Sequence, residues 1–326
     1  MNCSYEKTQI KSPLSSLEIE ILKKAKRVED VFYLESEVKL STNPECLISF
    51  VTDLEIDSRG NLIIADGWQR RGIFIFSPNG NFIKELNRQG QGPGEYLTPV
   101  SIEISSRNDI WIVDVLGNKI NIYDKNFKFK NSIYFKQGIK YFLHLNNKDE
   151  IYMYSGLRNA PNLERSHSIY KYDNMGNIVT SFAPYPKKIK EINFSAVQDG
   201  MTIDEDNFIY EMNPLYYEIR KYSPEGNLLI KFSRNTNLFR IITKGNPIIL
   251  NGPYYLEKGL VIVQLNKHLE IYDTEGNFLV GEIPFPSKIL SSKGNSFYTE
   301  SWEQENSAIY LKNPVITKYT IIRSKH

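Results

Sequence analysis

The sequence predicts an all-β protein, a six-bladed β-propeller of four-stranded antiparallel blades, and three observations support this fold class. The chain is rich in aromatic residues, with 21 Tyr and 17 Phe, and these residues favour strands. A strand–turn–strand pattern recurs about every 49 residues along the chain. Each repeat contains two such hairpins, and four strands per repeat match one propeller blade.

The second hairpin of each repeat begins with a strand that ends in an aromatic residue. A polar turn follows, usually with Gly-Asn, as in FIFSPNGNFIKEL (74–86). Glycine and asparagine tolerate the backbone angles of tight hairpin turns. The matching aromatics recur at intervals of 47 to 50 residues and are Phe76, Tyr123, Tyr172, Tyr222, Tyr272 and Tyr319. This even spacing predicts six blades.

The first hairpin of each repeat has a short polar turn between two apolar strands, as in LEIDSRGNLIIAD (54–66). One residue near the tip of each turn is of a type that tolerates positive φ. These residues are Gly60, Asn108, Asp149, Asp206, Gly259 and Gly294. The two hairpins together supply the four strands of a blade.

The last repeat lacks a fourth strand, because the chain ends soon after TKYTII (317–322). The segment VEDVFYLESEV (28–38) is strand-like and has no partner of its own. We therefore expect it to become the outer strand of the last blade and to close the ring. The predicted organisation is an N-terminal tail or linker over 1–27 and one propeller over 28–326. Residues 12–27 fit either a short amphipathic helix or an alternating strand.

A glycine-rich loop, QGQGPGEYLTP (89–99), raises the question of phosphate binding. Phosphate loops open a helix, whereas this loop precedes the strand-like segments SIEIS (101–105) and DIWIVD (109–114). The Lys-Ser/Thr pair of a phosphate loop is also absent. We interpret the loop as the crossing from the outer strand of blade 1 to the inner strand of blade 2, with Tyr96 packed between the blades.

Several of these motifs together carry a family resemblance. GQGPGEY (90–96), YLE (33–35), Asp66 at the end of LIIAD, and the repeated Tyr-Asp-x-x-Gly-Asn turns resemble the NHL-repeat-like six-bladed β-propeller lipoproteins of Bacteroidota-type bacteria. The likeness extends from about Val28 onward and implies an exported protein of the cell envelope, periplasmic or on the outer surface. It implies no catalytic residues. Blade 2 departs from the pattern at Lys125-Asn126-Phe127, and blade 3 inserts residues 155–167.

Cys3 has two readings from the residues alone. It is either the lipid attachment site that remains when a lipoprotein signal is removed, or a free thiol in a tail, and the apolar region of a signal does not precede it. The family resemblance favours the lipid attachment site. Cys46 is expected to be a small buried apolar residue.

The charge distribution excludes two classes of partner. The 40 basic and 38 acidic residues are spread along the chain without a basic stripe, so we expect no nucleic acid and no anionic membrane surface as partner. The longest apolar runs, such as LVIV (260–263), are far shorter than the roughly 20 residues of a membrane-spanning helix. We expect a monomer without a transmembrane segment, attached to a membrane only through a lipid on Cys3.

The favoured functional hypothesis is a non-catalytic binding or scaffold propeller without a cofactor, which recognises a peptide, glycan or protein. We expect the ligand at the channel mouth, on the face where the blade crossings and the loops between second and third strands gather. Aromatic residues and arginines, which are enriched in binding hot spots, dominate the candidates. The candidates are Trp68, Arg70, Arg71, Tyr96, Arg158, His167, Tyr216, Tyr217, Tyr254, Tyr255 and Trp302.

The alternative hypothesis is a metal-dependent hydrolase or lyase with a cation, such as Ca²⁺, in the central channel. Such a site needs several converging carboxylate, amide or imidazole ligands. Near the starts of the inner strands the candidates are Asp53 and Asp199, without matching acids in the other blades. His144 lies on an inner strand, where a satisfied buried histidine is the favoured interpretation over a metal ligand. No HxH or HExxH spacing appears.

Overall fold

The computed structural model describes residues 14–86, 89–155, 167–185, 200–213, 217–236, 250–257, 259–302 and 312–322. One helix, α1 (Ser16–Lys24), precedes the first strand, β1 (Phe32–Lys39). Blade 1 contains β2 (Asp53–Ile56), β3 (Leu62–Asp66), β4 (Gly72–Phe76) and β5 (Phe82–Glu85). Blade 2 contains β6 (Pro99–Ile104), β7 (Ile110–Asp114), β8 (Lys119–Tyr123) and β9 (Phe129–Tyr134).

The next three blades follow the same plan. Blade 3 contains β10 (Phe142–Leu145), β11 (Ile151–Tyr154), β12 (His167–Tyr172) and β13 (Ile178–Pro184). Blade 4 contains β14 (Met201–Ile203), β15 (Ile209–Asn213), β16 (Glu218–Tyr222) and β17 (Leu228–Ser233). Blade 5 contains β18 (Leu250–Leu256), β19 (Leu260–Leu265), β20 (His268–Asp273) and β21 (Phe278–Pro284).

The last blade is built from both ends of the chain. Blade 6 contains β22 (Lys288–Lys293), β23 (Ser296–Ser301) and β24 (Val315–Ile321), and β1 pairs with β24 as its outer strand. Each blade is a four-stranded antiparallel sheet, and in blades 1 to 5 sequential strands are neighbours from the inner strand outward. The prediction of a six-bladed all-β propeller is therefore confirmed.

The closing strand pairs antiparallel with β24 from Phe32 opposite Ile321 to Lys39 opposite Val315. This confirms the expected ring closure, although the strand begins at Phe32 because Val28–Asp30 form a turn of 3-10 helix. The buried Phe32 ring contacts Phe297 edge to face at a centroid distance of 4.9 Å. The clasp therefore joins the two ends of the chain through packing as well as through backbone hydrogen bonds.

Helix α1 resolves the two interpretations of residues 12–27. The Ser15 side chain accepts a hydrogen bond from the Glu18 N–H, and the Glu18 carboxylate accepts one from the Ser15 N–H, which is a complete capping box. Leu14 and Leu22 pack into the apolar cluster shared by blades 5 and 6, whereas Leu17 and Ile21 remain exposed. The helix therefore covers the end of the seam next to the closing strand.

The hydrophobic core lies in the seams between adjacent blades rather than in one centre. The blade 1–blade 2 seam, for example, combines Ile75 with Ile112 and Tyr123. Four seams repeat the same aromatic pair, in which a Phe at the outer edge of one blade contacts the aromatic near the end of the third strand of the next. The pairs are Phe135–Tyr172, Phe182–Tyr222, Phe232–Tyr272 and Phe285–Tyr319, with centroid distances of 4.8 to 5.3 Å. The periodic aromatics of the sequence are thus seam residues.

Glycine in the turn between third and fourth strands satisfies two requirements at once. Gly176 has φ +75°, and a Cβ at this position would lie well inside contact distance of the Tyr134 carbonyl oxygen on the preceding blade. In blade 2 the equivalent residue is Phe127, which adopts φ 64°. The Arg59 guanidinium lies 4.9 Å from the centre of its ring. Packing against the first-hairpin turn of blade 1 therefore accompanies this departure from the repeat.

Candidate functional site

The glycine-rich segment 89–99 uses its polar groups internally. The Gly90 N–H donates to the Tyr96 carbonyl over 2.9 Å, and the Gly92 N–H donates to the Glu95 carboxylate over 2.9 Å. Tyr96 is fully buried between blades 1 and 2, as expected from the sequence. The Tyr123 hydroxyl donates to the Gly94 carbonyl and attaches the crossing to blade 2. The segment has the structural role that was predicted for it.

One end of the propeller, here called the crossing face, carries the blade crossings and the loops between second and third strands. In blade 1 the fully buried Asp66 organises this face. Its Oδ2 accepts hydrogen bonds from the Ser49 and Phe50 N–H groups at 2.6 and 3.2 Å. Its Oδ1 accepts from the Gln69 and Arg70 N–H groups, both at 3.3 Å. One carboxylate therefore holds the backbone at Ser49 and Phe50 and the backbone that follows Trp68.

A chain of contacts extends this arrangement to blade 6. The Lys288 ammonium lies 5.2 Å from the centre of the Phe50 ring and 3.8 Å from the Glu300 carboxylate. The Trp302 indole N–H donates to that same carboxylate over 3.1 Å. Phe50 and Trp68 are each 44% exposed, and Trp302 is 40% exposed. The Trp68 ring contacts that of Tyr141, next to the inner strand of blade 3, at a centroid distance of 6.5 Å. We call Phe50, Trp68, Trp302 and Lys288 of the crossing face the aromatic surface.

Some of the predicted binding residues lie on the crossing face. Trp68, Arg70 and Arg71 belong to the loop after β3, and Trp302 follows β23. Arg70 is engaged locally, since its guanidinium lies 5.6 Å from the centre of the Phe74 ring and donates to the Glu45 carbonyl. His167 begins β12 and contacts the Ser181 hydroxyl through Nδ1 at 3.0 Å, and burial lowers its pKa. Four other predicted residues lie outside the described residues: Cys3, Arg158, Asp199 and Tyr216.

The structure places Tyr96 and Tyr217 in the interior. Tyr217 is buried in the seam between blades 4 and 5 and donates to the Glu270 carboxylate. Its hydroxyl lies 2.9 Å from that of Tyr272. These two tyrosines therefore fill seams and do not present their rings on the crossing face.

The expected location of Tyr254 and Tyr255 on the crossing face is corrected by the structure. The inner strand β18 begins at Leu250, four residues before Tyr254, and a bulge follows Asn251. Tyr254 and Tyr255 consequently pair with Ile262 and Val261, close to the turn into β19. They lie at the opposite end of the channel, here called the turn face.

The central channel contains a cavity of about 540 Å³ that reaches the turn face. Its lining includes one residue near the turn end of the inner strand of each blade; these residues are equivalent in blades 1 to 4 and lie one position closer to the turn in blades 5 and 6. We call these six residues the channel ring: Glu55, Glu103, His144, Thr202, Tyr255 and Ser292. Blades 1 to 3 contribute two carboxylates and an imidazole, whereas blades 4 to 6 contribute three hydroxyl groups.

Sequence reasoning named Tyr255 and His144 but missed the two acids of the channel ring, although a signal was present. Glu55 and Glu103 occupy the same place in the equivalent segments LEIDS and IEISS. The metal-ligand candidate of blade 1 was Asp53, at the start of the strand and two residues before Glu55. Asp53, the candidate at that position, is engaged in the fold, since its Oδ2 accepts a hydrogen bond from the Ile102 N–H of blade 2 over 2.8 Å.

The acidic half of the channel ring has coupled charges. Glu103 Oε1 lies 3.4 Å from Nδ1 of His144. Burial raises the pKa of Glu55 well above its usual range, and the nearby carboxylates of Glu103 and Asp53 raise it further. Lys293 opposes this shift, and its ammonium donates to the Ile56 carbonyl. The two carboxylates of the channel ring therefore lie side by side on blades 1 and 2.

Hydrogen bonds between neighbouring turns hold the rim of the turn face. The Ser58 N–H donates to the Asn108 side chain over 3.0 Å, and the Ser106 N–H donates to Asp149 over 2.7 Å. Asn108 and Asp149 have positive φ, as predicted, and in blade 4 the residue with positive φ is Asn207 rather than Asp206. Asn207 accepts from the Asn147 N–H over 3.1 Å. The same turn residues therefore shape the turns and link the blades.

Within the part of the chain that the structure describes, no set of side chains supports a metal site in the channel. No three His, Cys, Asp or Glu side chains among those residues converge in the manner of a metal site. The hypothesis of a metal-dependent hydrolase or lyase rests on Asp53, whose carboxylate accepts a backbone hydrogen bond from blade 2, and on Asp199, which lies outside the described residues.

Comparison with solved structures shows the same fold at low sequence identity. A "Putative exported protein" from Bacteroides fragilis is 13% identical, with a TM-score of 0.66, and the match covers 91% of this chain and 97% of that one. A member of the DUF4221 family from Bacteroides vulgatus is 9% identical, with a TM-score of 0.60 and coverages of 90% and 98%. Virginiamycin B lyase from Staphylococcus aureus is 15% identical, with a TM-score of 0.51 and coverages of 82% and 80%.

None of the described helices combines the length and apolar character that a membrane crossing requires.

Sequence comparison identifies the family. No curated protein matches the sequence significantly. The model of one family, described as "Domain of unknown function (DUF4934)", matches residues 19–246, which is more than half of the chain. The chain therefore belongs to the DUF4934 family.

Proposed function

We propose that this protein is a non-catalytic binding propeller of the cell envelope, anchored by a lipid on Cys3, which recognises a peptide segment of a protein partner on the crossing face. The observation that carries this proposal is the aromatic surface. Phe50, Trp68 and Trp302 are exposed by 40 to 44% while the backbone beneath two of them is fixed by the buried Asp66. Exposed aromatics on a fixed backbone are typical of recognition sites.

The chemistry of the aromatic surface favours a peptide with apolar side chains next to an acidic group. Large aromatic rings bury much apolar area at a small entropic cost. Lys288 supplies a cation beside Phe50 and lies 3.8 Å from the Glu300 carboxylate. Burial lowers the pKa of Lys288 and raises that of Glu300. An incoming carboxylate would share Lys288 with Glu300.

The cell-envelope location is supported by two observations. Cys3 precedes a polar tail, as in lipoproteins of the family that the sequence resembles. One protein of similar fold, from Bacteroides fragilis, is named as exported. In the source bacterium, the protein is expected in the membrane fraction, and Cys3→Ser is expected to move it to the soluble periplasmic fraction. Equal fractionation of both forms would contradict the lipid anchor.

Binding is tested with libraries of cell-envelope peptides and glycans and with thermal shift, since a ligand of the native state raises the melting temperature. We expect peptides to raise it and Trp68→Ala and Trp302→Ala each to weaken binding about tenfold or more. Tyr33→Ala is the matched control, because Tyr33 is 46% exposed near the start of the outer strand β1, opposite the end that leads into blade 1. Binding of glycans instead of peptides, or equal binding by the tryptophan variants, would overturn the proposal.

A further inference from the structure

The channel cavity opens at the turn face, so a ligand there would not compete with the aromatic surface. Its volume of about 540 Å³ falls within the usual range of small-molecule sites, roughly 300 to 1,000 Å³. The rim is held by hydrogen bonds between neighbouring turns, such as that from Ser58 to Asn108. The cavity is therefore shaped before any ligand enters.

The charged side chains of the described lining are mainly acidic. Glu55 and Glu103 belong to the channel ring, Glu205 and Glu257 lie at the rim, and Lys293 is the one lysine or arginine among the described lining residues. A low-dielectric channel with one sign of charge favours a ligand of the opposite sign. The acids lie on inner strands and turns of several blades, so they surround the cavity instead of forming one surface patch.

The other half of the cavity offers hydroxyl groups. Thr202, Tyr255 and Ser292 complete the channel ring, and the Tyr255 hydroxyl donates to the Glu205 carboxylate over 3.3 Å. Ser291 also lines the cavity and is more than nine-tenths buried, and its hydroxyl has no hydrogen-bond partner among the described residues. A buried hydroxyl without a partner costs free energy, and a ligand group could supply the missing partner.

We propose that this cavity binds a small organic molecule with a primary ammonium group at one end and a hydroxyl or carbonyl group at the other. The ammonium group lies between Glu55 and Glu103, where three N–H donors can reach both carboxylates. The polar end meets the hydroxyl groups of Ser291 and Ser292 on blade 6, which neighbours blade 1 in the closed ring. The site is independent of the aromatic surface and does not depend on the function proposed for it.

Three matched probes test the proposal by isothermal titration calorimetry on the full chain. We expect saturable binding of 5-amino-1-pentanol, weaker binding of pentylamine, which lacks the hydroxyl group, and no binding of 1,5-pentanediol, which lacks the ammonium group. Glu103→Gln is expected to weaken binding of 5-amino-1-pentanol about tenfold or more. Glu37→Gln is the matched control, because it removes one negative charge from the outer strand β1, and it should change the affinity less than twofold.

The outcomes separate this site from the crossing face. Trp68→Ala should leave the binding of 5-amino-1-pentanol unchanged, so each proposal can fail alone. The comparison of the three probes on the unmodified protein needs no variant to fold. Equal binding of 1,5-pentanediol, absence of saturable binding, or an equal effect of Glu37→Gln would overturn the proposal. Binding of Ca²⁺ that Glu103→Gln abolishes, without binding of the amine, would also overturn it and would favour a channel cation.

Discussion

Glu103 Oε1 lies 3.4 Å from Nδ1 of His144, and the two residues occupy the same position in neighbouring blades. The repeat therefore places different chemistry at one equivalent position of blades 1 to 4, which carries two acids, an imidazole and a hydroxyl group. Asp53 and Ser101, which occupy equivalent positions two residues earlier in blades 1 and 2, instead join the blades. The side chain of each accepts a backbone hydrogen bond from the inner strand of the next blade. The channel lining is thus divided between residues that join blades and residues that face the cavity.

Replacement of Phe32 tests the ring closure. Phe32 is buried against Phe297, so Phe32→Ala should lower the free energy of unfolding by about 3 to 5 kcal/mol. Tyr33→Ala is the control, because Tyr33 is the next residue of β1 and is exposed, and it should cost less than about 1 kcal/mol. Urea denaturation measures both values. Similar losses from the two variants would contradict the role of the closing strand.

Asp66→Asn tests the carboxylate that organises the crossing face. The amide has one acceptor oxygen in place of two and directs N–H groups at backbone donors, so the free energy of unfolding should fall by about 3 kcal/mol. Asp109→Asn removes a partly exposed ion pair with Lys130 and should cost less than about 1 kcal/mol. If chemical denaturation gives equal stability for Asp66→Asn and the unmodified protein, the four backbone hydrogen bonds are not what holds this face.

Gly176→Ala tests the close contact between the turn of blade 3 and the outer strand of blade 2. Positive φ disfavours alanine, and its Cβ would clash with the Tyr134 carbonyl oxygen, so the expected loss is about 2 kcal/mol. The neighbouring Met175 is exposed, and Met175→Ala should have little effect on stability. Thermal and urea denaturation of the two variants provide the comparison, and a neutral Gly176→Ala would refute the close approach.

Glu211 should make stability depend on pH. Burial raises its pKa from 4.5 to about 7, although Arg220 and the Ser168 hydroxyl favour the ionised form. Between these two pKa values the unfolded chain releases a proton that the folded protein retains, so the contribution of Glu211 to stability falls as pH rises from about 4.5 through about 7. Glu211→Gln should therefore gain stability relative to the unmodified protein between pH 5 and pH 8. Urea midpoints at both pH values measure the difference, and a difference that is independent of pH would contradict the shifted pKa.

The number of blades and the order of their strands could be predicted from the sequence because the repeat is local. Each hairpin has its own turn residues, and each seam has its own periodic aromatic, such as Tyr172 or Tyr222, so neighbouring repeats must stack in the same manner. The closing strand followed from the count of strands, because one segment without a partner matched one missing strand. The glycines of 89–99 were likewise explained by the backbone conformation that the crossing between blades 1 and 2 requires.

Whether a side chain lies on the crossing face or on the turn face depended on tertiary structure. The inner strand β18 starts at Leu250, so Tyr254 and Tyr255 lie near its turn end, and no local pattern specifies where the strand starts or the bulge after Asn251. Residues Ser16–Lys24 form a helix because Leu14 and Leu22 pack against the seam between blades 5 and 6. The sequence by itself determined a ring of six similar units. Only the packing of blades 1 to 3 side by side brought Glu55, Glu103 and His144 together, since residues from three blades line a channel that no single repeat contains.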